Sequence, residues 1–131
     1  MIVVDASVTT YALLYTDGRG RRARAALARD SEWTVPEHWT IEVFAAVRGL
    51  VAGRKVSQEQ ARTALGRLTR LAVERVPADE LIPRMWELRS DVSAYDAPYL
   101  ALAESRGLTL VTADGRLART ATRFCRVELV V

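Results

Sequence analysis

Four acids define the chemistry open to this chain: Asp5, Glu42, Asp96 and Asp114. Asp5 closes the β-branched run "IVVD". Glu42 stands between Ile41 and Val43. Asp96 ends "SAYD" and leads into an apolar stretch, and Asp114 closes "LTLVTAD". Carboxylates that converge on one cleft repel one another. A hard divalent cation removes that penalty. Mg²⁺, with Mn²⁺ able to substitute, takes oxygen ligands and keeps several waters, so a few carboxylates and a substrate phosphate complete its shell. Such a site can activate water for phosphodiester hydrolysis. The only softer ligands are His38 and Cys125, which argues against a structural zinc site.

Each acid also has a plainer reading. Asp96 completes a Ser-x-x-acid capping box with Ser93, and Asp114 is placed to cap a short helix. Asp5 is placed to close a turn, and Glu42 to be a half-exposed helix residue. The joint pattern, rather than any one acid, points to a site.

The elements that must position these acids alternate between strand and helix. "IVVD" reads as a buried strand, followed by a helix to about Tyr15 that Ser7 is placed to cap. "DGRGRR" reads as a turn with two glycines, before a second helix to about Asp30. "WTVP" is a strand, and Pro36 suits the first turn of the next helix. Ile41, Phe44, Val47, Leu50 and Val51 give that helix its apolar spacing, and Gly53 stops it. "SQEQ" has capping-box form and starts a helix to about Leu71. "AVERVP" is a third strand, with a helix from about Asp79 to Asp91. A helix from "SAYD" runs to Arg106 and stops at Gly107. "LTLV", a short helix after Asp114, and the strand within "CRVELVV" complete the chain. This alternation favours one α/β domain over residues 1–131, with a mostly parallel central sheet flanked by helices. In such sheets ligands gather beyond the carboxyl ends of the strands. Asp5 and Asp114 fall there directly.

The composition sets the wider limits. With 131 residues, half of them hydrophobic, the chain can bury an ordinary core. One cysteine precludes an intrachain disulfide and fits a reducing, cytoplasmic setting. "MIVVDASVTT" has no basic segment and no long apolar run, so a secretory leader is not expected. No stretch suggests a membrane span. The net charge is +3, and of the 19 basic residues all but Lys55 are arginine. Arginine's planar fork suits phosphate, although a coding bias gives the same count.

Together, "IVVDAS", "IEV", "SAYDAPYLALAE" and "LVTAD" followed by Leu117 resemble the PIN-domain family, and in particular the VapC toxins of bacterial toxin–antitoxin pairs. The likeness covers nearly the whole chain. It implies a PIN-like fold in which Asp5, Glu42, Asp96 and Asp114 are catalytic and hold the metal. It also implies that Thr112 orients Asp114 or a bound water, unless it is simply an end-of-strand threonine. Ser7 can assist similarly, with an N-cap as its stronger role. The chain has "FAAVRG" where many relatives carry a small polar residue after the helical glutamate, and Gly115 where a charged residue is common.

The resemblance further implies a Mg²⁺-dependent endoribonuclease, an RNA substrate, a VapB-like antitoxin partner and a homodimer. Arg19, Arg21, Arg22, Arg89 and Arg116 are candidates to hold the RNA backbone. Tyr11, Leu14, Tyr15, Trp39 and Phe44 are candidates for a groove that takes a partner helix. Two alternatives stay open: a catalytically silent module that binds RNA or a partner, and a metal-dependent phosphohydrolase on small substrates.

Overall fold

The computed structural model describes residues 1–131. The elements run β1 (Ile2–Val4), α1 (Ala6–Leu14), α2 (Gly18–Ala28), β2 (Trp33–Pro36), α3 (Trp39–Ala52) and α4 (Gln58–Leu68), then β3 (Val73–Val76), α5 (Ala78–Glu87), α6 (Ala97–Arg106), β4 (Leu110–Thr112), α7 (Gly115–Ala121) and β5 (Val127–Leu129). The five strands form one sheet in the order β3-β2-β1-β4-β5, and every pair is parallel.

That order has a direct consequence for the acids. From β1 the chain crosses to β2 on one side, and from β4 it crosses to β5 on the other. The connections part between β1 and β4, which opens a crevice beyond their carboxyl ends. Val3 pairs with Leu110 and Val4 with Val111, so Asp5 and Thr112 leave the sheet side by side at that crevice.

The central strands are apolar because both faces are covered. Val3, Val4, Val35, Leu110 and Val111 are all essentially inaccessible. Trp39 is fully buried under α3, and its indole N–H donates to Thr9 Oγ1 at 3.1 Å. No buried side-chain nitrogen or oxygen is left without a partner, as a well-packed interior requires. No helix is long and apolar enough to cross a membrane.

Several local expectations hold. Ser57 and Gln60 form a reciprocal capping box at the start of α4. Gly107 ends α6 in the left-handed conformation, with φ of 62°. Others are corrected. "DGRGRR" is not a free turn: it winds into the first turns of α2, and Asp17 caps it by accepting from the Arg19 backbone N–H at 3.0 Å. Gly20 permits this, since a Cβ there would lie 1.7 Å from the Tyr15 carbonyl oxygen. Pro36 ends β2 rather than opening a helix, paired with Val76. In α3 the buried face is Trp39, Val43 and Val47, spaced four apart, while Ile41 and Phe44 face outward.

Candidate active site

Asp5 stands where β1 turns into α1. Its backbone N–H donates to the Val111 carbonyl at 3.0 Å, which pins it to β4. Its Oδ2 accepts from Ser7 Oγ at 2.5 Å and from Thr112 Oγ1 at 2.7 Å. The side chain is nearly buried, and that burial pushes its carboxyl above the usual range; the two hydroxyls pull it part of the way back. Ser7 does not cap α1. Asp5 occupies the cap position, and the Ser7 hydroxyl reaches across to β4, where it also accepts the Ala113 N–H at 2.9 Å. Thr112 Oγ1 in turn accepts the Asp114 N–H at 3.0 Å. Two hydroxyls thus link the end of β1 to the end of β4.

Asp114 fills the capping role open to it. Its Oδ1 accepts from the backbone N–H groups of Arg116 and Leu117 at 3.0 and 3.2 Å. That leaves Oδ2 free of any protein partner, so the cap and a ligand role are compatible.

Glu42 lies in the first turn of α3. Its Oε1 accepts from Tyr99 Oη at 2.7 Å. His38, one turn earlier, brings Nε2 within 3.3 Å of the same oxygen and donates from that nitrogen to the Tyr95 carbonyl at 2.8 Å. Burial holds the Glu42 carboxyl above the usual range, and the charges of Asp5 and Asp96 add to the rise against the pull of Tyr99 and His38. Tyr99 is absent from the sequence-based candidates. Its signal was the spacing "YDAPY", which sets it one helical turn after Asp96 on the same face.

Asp96 occupies the cap position of α6. Only half of the expected capping box forms: its backbone N–H donates to Ser93 Oγ at 3.2 Å, but its carboxylate makes no cap bond. Burial, then the charge of Asp5, raises its carboxyl; Asp114 raises it further and Arg116 opposes. The four acids named from the sequence therefore act on one another through space. No three His, Cys, Asp or Glu side chains close into a group that could hold a metal ion as they stand. Each of Asp5, Glu42 and Asp114 is fixed through one oxygen by hydroxyl or backbone donors.

The arginine candidates differ in their partners, and Arg21 makes only a backbone bond, to the Asp17 carbonyl at 3.1 Å. Arg19 is paired with Asp17 at 2.8 Å and lies over the Tyr15 ring. Arg22 bonds the Val131 carbonyl, and Arg89 bonds the Trp86 carbonyl at 2.8 Å. Arg116 stands beside Asp96, and its guanidinium has no partner in the protein. The expected partner groove is also corrected. Trp39 and Leu14 are core residues, and Tyr11 packs against Tyr15 with ring centroids 4.8 Å apart. Phe44 instead borders a cavity of about 470 Å³ between α3 and α4, with Val47, Val51 and Leu65.

Known proteins resemble this chain over nearly its whole length. The PIN domain family model matches residues 2–123. Ribonuclease VapC9 of Mycobacterium tuberculosis is 42% identical over 130 residues, covering 99% of this chain and 98% of that protein. Ribonuclease VapC12 of the same organism is 34% identical, covering 99% of each. The crystal structure of Mycobacterium tuberculosis VapC20, described as a Sarcin-Ricin loop cleaving toxin, superposes with a TM-score of 0.68 at 25% identity, over 98% of this chain and 99% of that one. The chain belongs to the PIN domain family, in its VapC branch.

Proposed function

We propose that this protein is a divalent-metal-dependent endoribonuclease, the toxin of a type II, VapBC-like toxin–antitoxin pair. One observation carries the reading. Asp5, Glu42 and Asp96 are all held above the usual carboxylate range by burial, and Glu42 and Asp96 also by neighbouring acids, at the switch point of a parallel sheet. Carboxyls so placed favour a group that neutralises them. Relatives that share nearly the whole chain are named ribonucleases.

The donor set fits Mg²⁺, with Mn²⁺ able to substitute. It is built from oxygen alone, and Mg²⁺ needs only one or two carboxylates beside water and substrate phosphate. Loosely converged acids are therefore compatible with it. Asp5, Glu42, Asp96 and Asp114 would hold the cation, which when bound supplies charge neutralisation and an activated water for phosphodiester hydrolysis. The rest falls to the chain's own residues. Thr112 and Ser7 fix the Asp5 carboxylate through Oδ2. Thr112 also fixes the backbone of Asp114, and Tyr99 fixes Glu42. Arg116 offers its free fork to an RNA phosphate.

The partners follow from the same reading. The α3–α4 groove bordered by Phe44 accepts an apolar helix of a VapB-like antitoxin. The protein acts on cytoplasmic RNA, as a homodimer.

Total cellular RNA, incubated with wild type, Asp5→Asn or Asp96→Asn in Mn²⁺, Mg²⁺ or EDTA, tests this. Discrete fragments that require metal and vanish in both variants are expected. A folded, antitoxin-free wild type that binds RNA in a salt-sensitive manner and leaves it whole would identify a silent binding module instead.

A further inference from the structure

A polar cleft of about 220 Å³ adjoins the acids and shares Asp96 with them. The turn between α5 and α6 forms one wall, and the first turns of α7 form the other. Val92 and Leu117 contribute its apolar surface. Ser90 and Thr120 line it with hydroxyls that have no partner elsewhere in the protein, and Ser93, which accepts only the Asp96 N–H, keeps its own proton to donate. The volume falls below that of pockets for drug-sized ligands, and suits a single small ring system.

We propose that this cleft seats the base of a nucleotide flanking the cleaved phosphodiester, and that it selects a base bearing an exocyclic amine over uracil. The inference rests on the ribonuclease reading. Single-stranded RNA is read through bases that leave the stack and present their edges to side chains. Asp91 lines the cleft and is acceptor-only. Its Oδ1 faces Arg123 Nη2 at 3.3 Å, so Oδ2 is left to accept. The amines of adenine, cytosine and guanine each donate to such an oxygen. Uracil has no amine; its one donor on that edge, N3–H, sits between two carbonyl oxygens that repel an approaching carboxylate, so its pairing with Asp91 is the weakest of the four. Arg116, at the mouth beside Asp96, is the unpaired cation that can hold the adjoining phosphate. Base and phosphate contacts then divide the work: the acid chooses, and the arginine positions.

The test begins with the cleavage site mapped from total RNA. Short RNA oligonucleotides of that sequence are then made with each of the four bases at the two positions flanking the cut. Wild type is expected to cleave the uracil variant about five- to fiftyfold more slowly at one of the two positions, the discrimination of one good side-chain–base pairing. Asp91→Asn, whose amide can donate to a uracil carbonyl, is expected to erase that penalty. Arg116→Ala is expected to raise KM for all the oligonucleotides while leaving the base preference intact, with Arg116→Lys between it and wild type. Both side chains lie at the surface, and melting temperatures near wild type confirm folding. Equal rates for all four bases at both positions, or an unchanged preference in Asp91→Asn, would overturn the base site. An unchanged KM in Arg116→Ala would overturn the phosphate contact. If wild type cuts neither the cellular RNA nor any oligonucleotide, the ribonuclease reading fails first, and this inference with it.

Discussion

Tyr99 Oη donates to Glu42 Oε1 across 2.7 Å, and that bond ties α6 to the first turn of α3. Tyr99 is fully buried, and burial drives its phenol well above the ordinary range. The hydroxyl therefore stays a donor at neutral pH. Because Asp96 lies one turn earlier on the same helix, α6 places one acid at the crevice and immobilises another that comes from a different helix.

Loss of that hydroxyl should disorder Glu42 without opening a cavity. Tyr99→Phe is expected to lower the RNA cleavage rate by about 10- to 100-fold, the usual cost of removing a group that orients a metal-binding side chain. In a Glu42→Gln background the same change should cost little more, since the two residues act as one unit. Initial rates of the two single variants and the double variant check this. Equal losses in both backgrounds would show that Tyr99 acts by another route.

Thr112 carries a similar dependence on the other side of the crevice. Its hydroxyl donates to Asp5 and accepts from the Asp114 backbone. Thr112→Val keeps the shape and removes both bonds. It is expected to cost about 1–3 kcal/mol of stability, because Asp5 and the Asp114 N–H lose a buried partner. Cleavage should fall together with stability, and Thr112→Ser should restore most of both. Denaturant unfolding and initial rates on the three proteins decide the matter.

The raised carboxyl of Asp5 has a stability consequence whose sign is fixed. A folded-state value above the unfolded one means that the native state holds its proton longer, so its contribution is full at low pH and is lost as pH rises through the folded value. Once Asp5 loses its proton, the metal-free protein carries a buried charge there. Asp5→Asn removes the charge and keeps an oxygen to accept from Ser7 and Thr112. In EDTA it is expected to melt about 2–5 °C above wild type at neutral pH. The gap should close on acidification into the carboxylate range. Saturating Mn²⁺ should stabilise wild type and not the variant. Melting curves across pH, with and without metal, provide the check; a variant less stable than wild type at neutral pH in EDTA would contradict the assignment.

These residues also show what the sequence could and could not reveal. Asp5 and Asp114 were legible because they end apolar strand runs, and strand ends in a parallel sheet define its ligand edge. The five strands and the α/β class were legible from the same runs. The orientation of α3 was not. Ile41, Phe44 and Val47 have helical spacing, yet the buried face is Trp39, Val43 and Val47, and both choices satisfy the same period. Only the packing of Trp39 against Thr9 decides between them. Tyr99 was hidden for a related reason: inside an apolar run it reads as core, and its partner lies 57 residues away. Ser7 read as a cap because its bonds to Asp5 and Ala113 depend on β1 and β4 being neighbours, which only the strand order establishes.

The outward face of α3 leads to the remaining prediction. Phe44 is 46% exposed and borders the α3–α4 groove, whose apolar wall includes Val47, Val51 and Leu65 and whose rim carries Arg48 and Arg62. An amphipathic helix laid in such a groove gains most from a few buried anchors, and a phenyl ring that it covers at the border is a typical one. The two arginines favour acidic residues flanking the apolar stripe of the partner. Phe44→Glu removes that apolar anchor and sets a carboxylate against the acidic residues expected on the partner. Its effect on the proposed VapB-like antitoxin partner is expected to be a loss of about 2 kcal/mol or more in binding, roughly thirtyfold in Kd. Cleavage by the free protein should not change, because Phe44 points away from the crevice that holds Asp5 and Asp114. Titration calorimetry with the antitoxin, alongside cleavage assays with and without it, separates the two properties. A variant that is still fully inhibited would place the antitoxin on another face of the molecule.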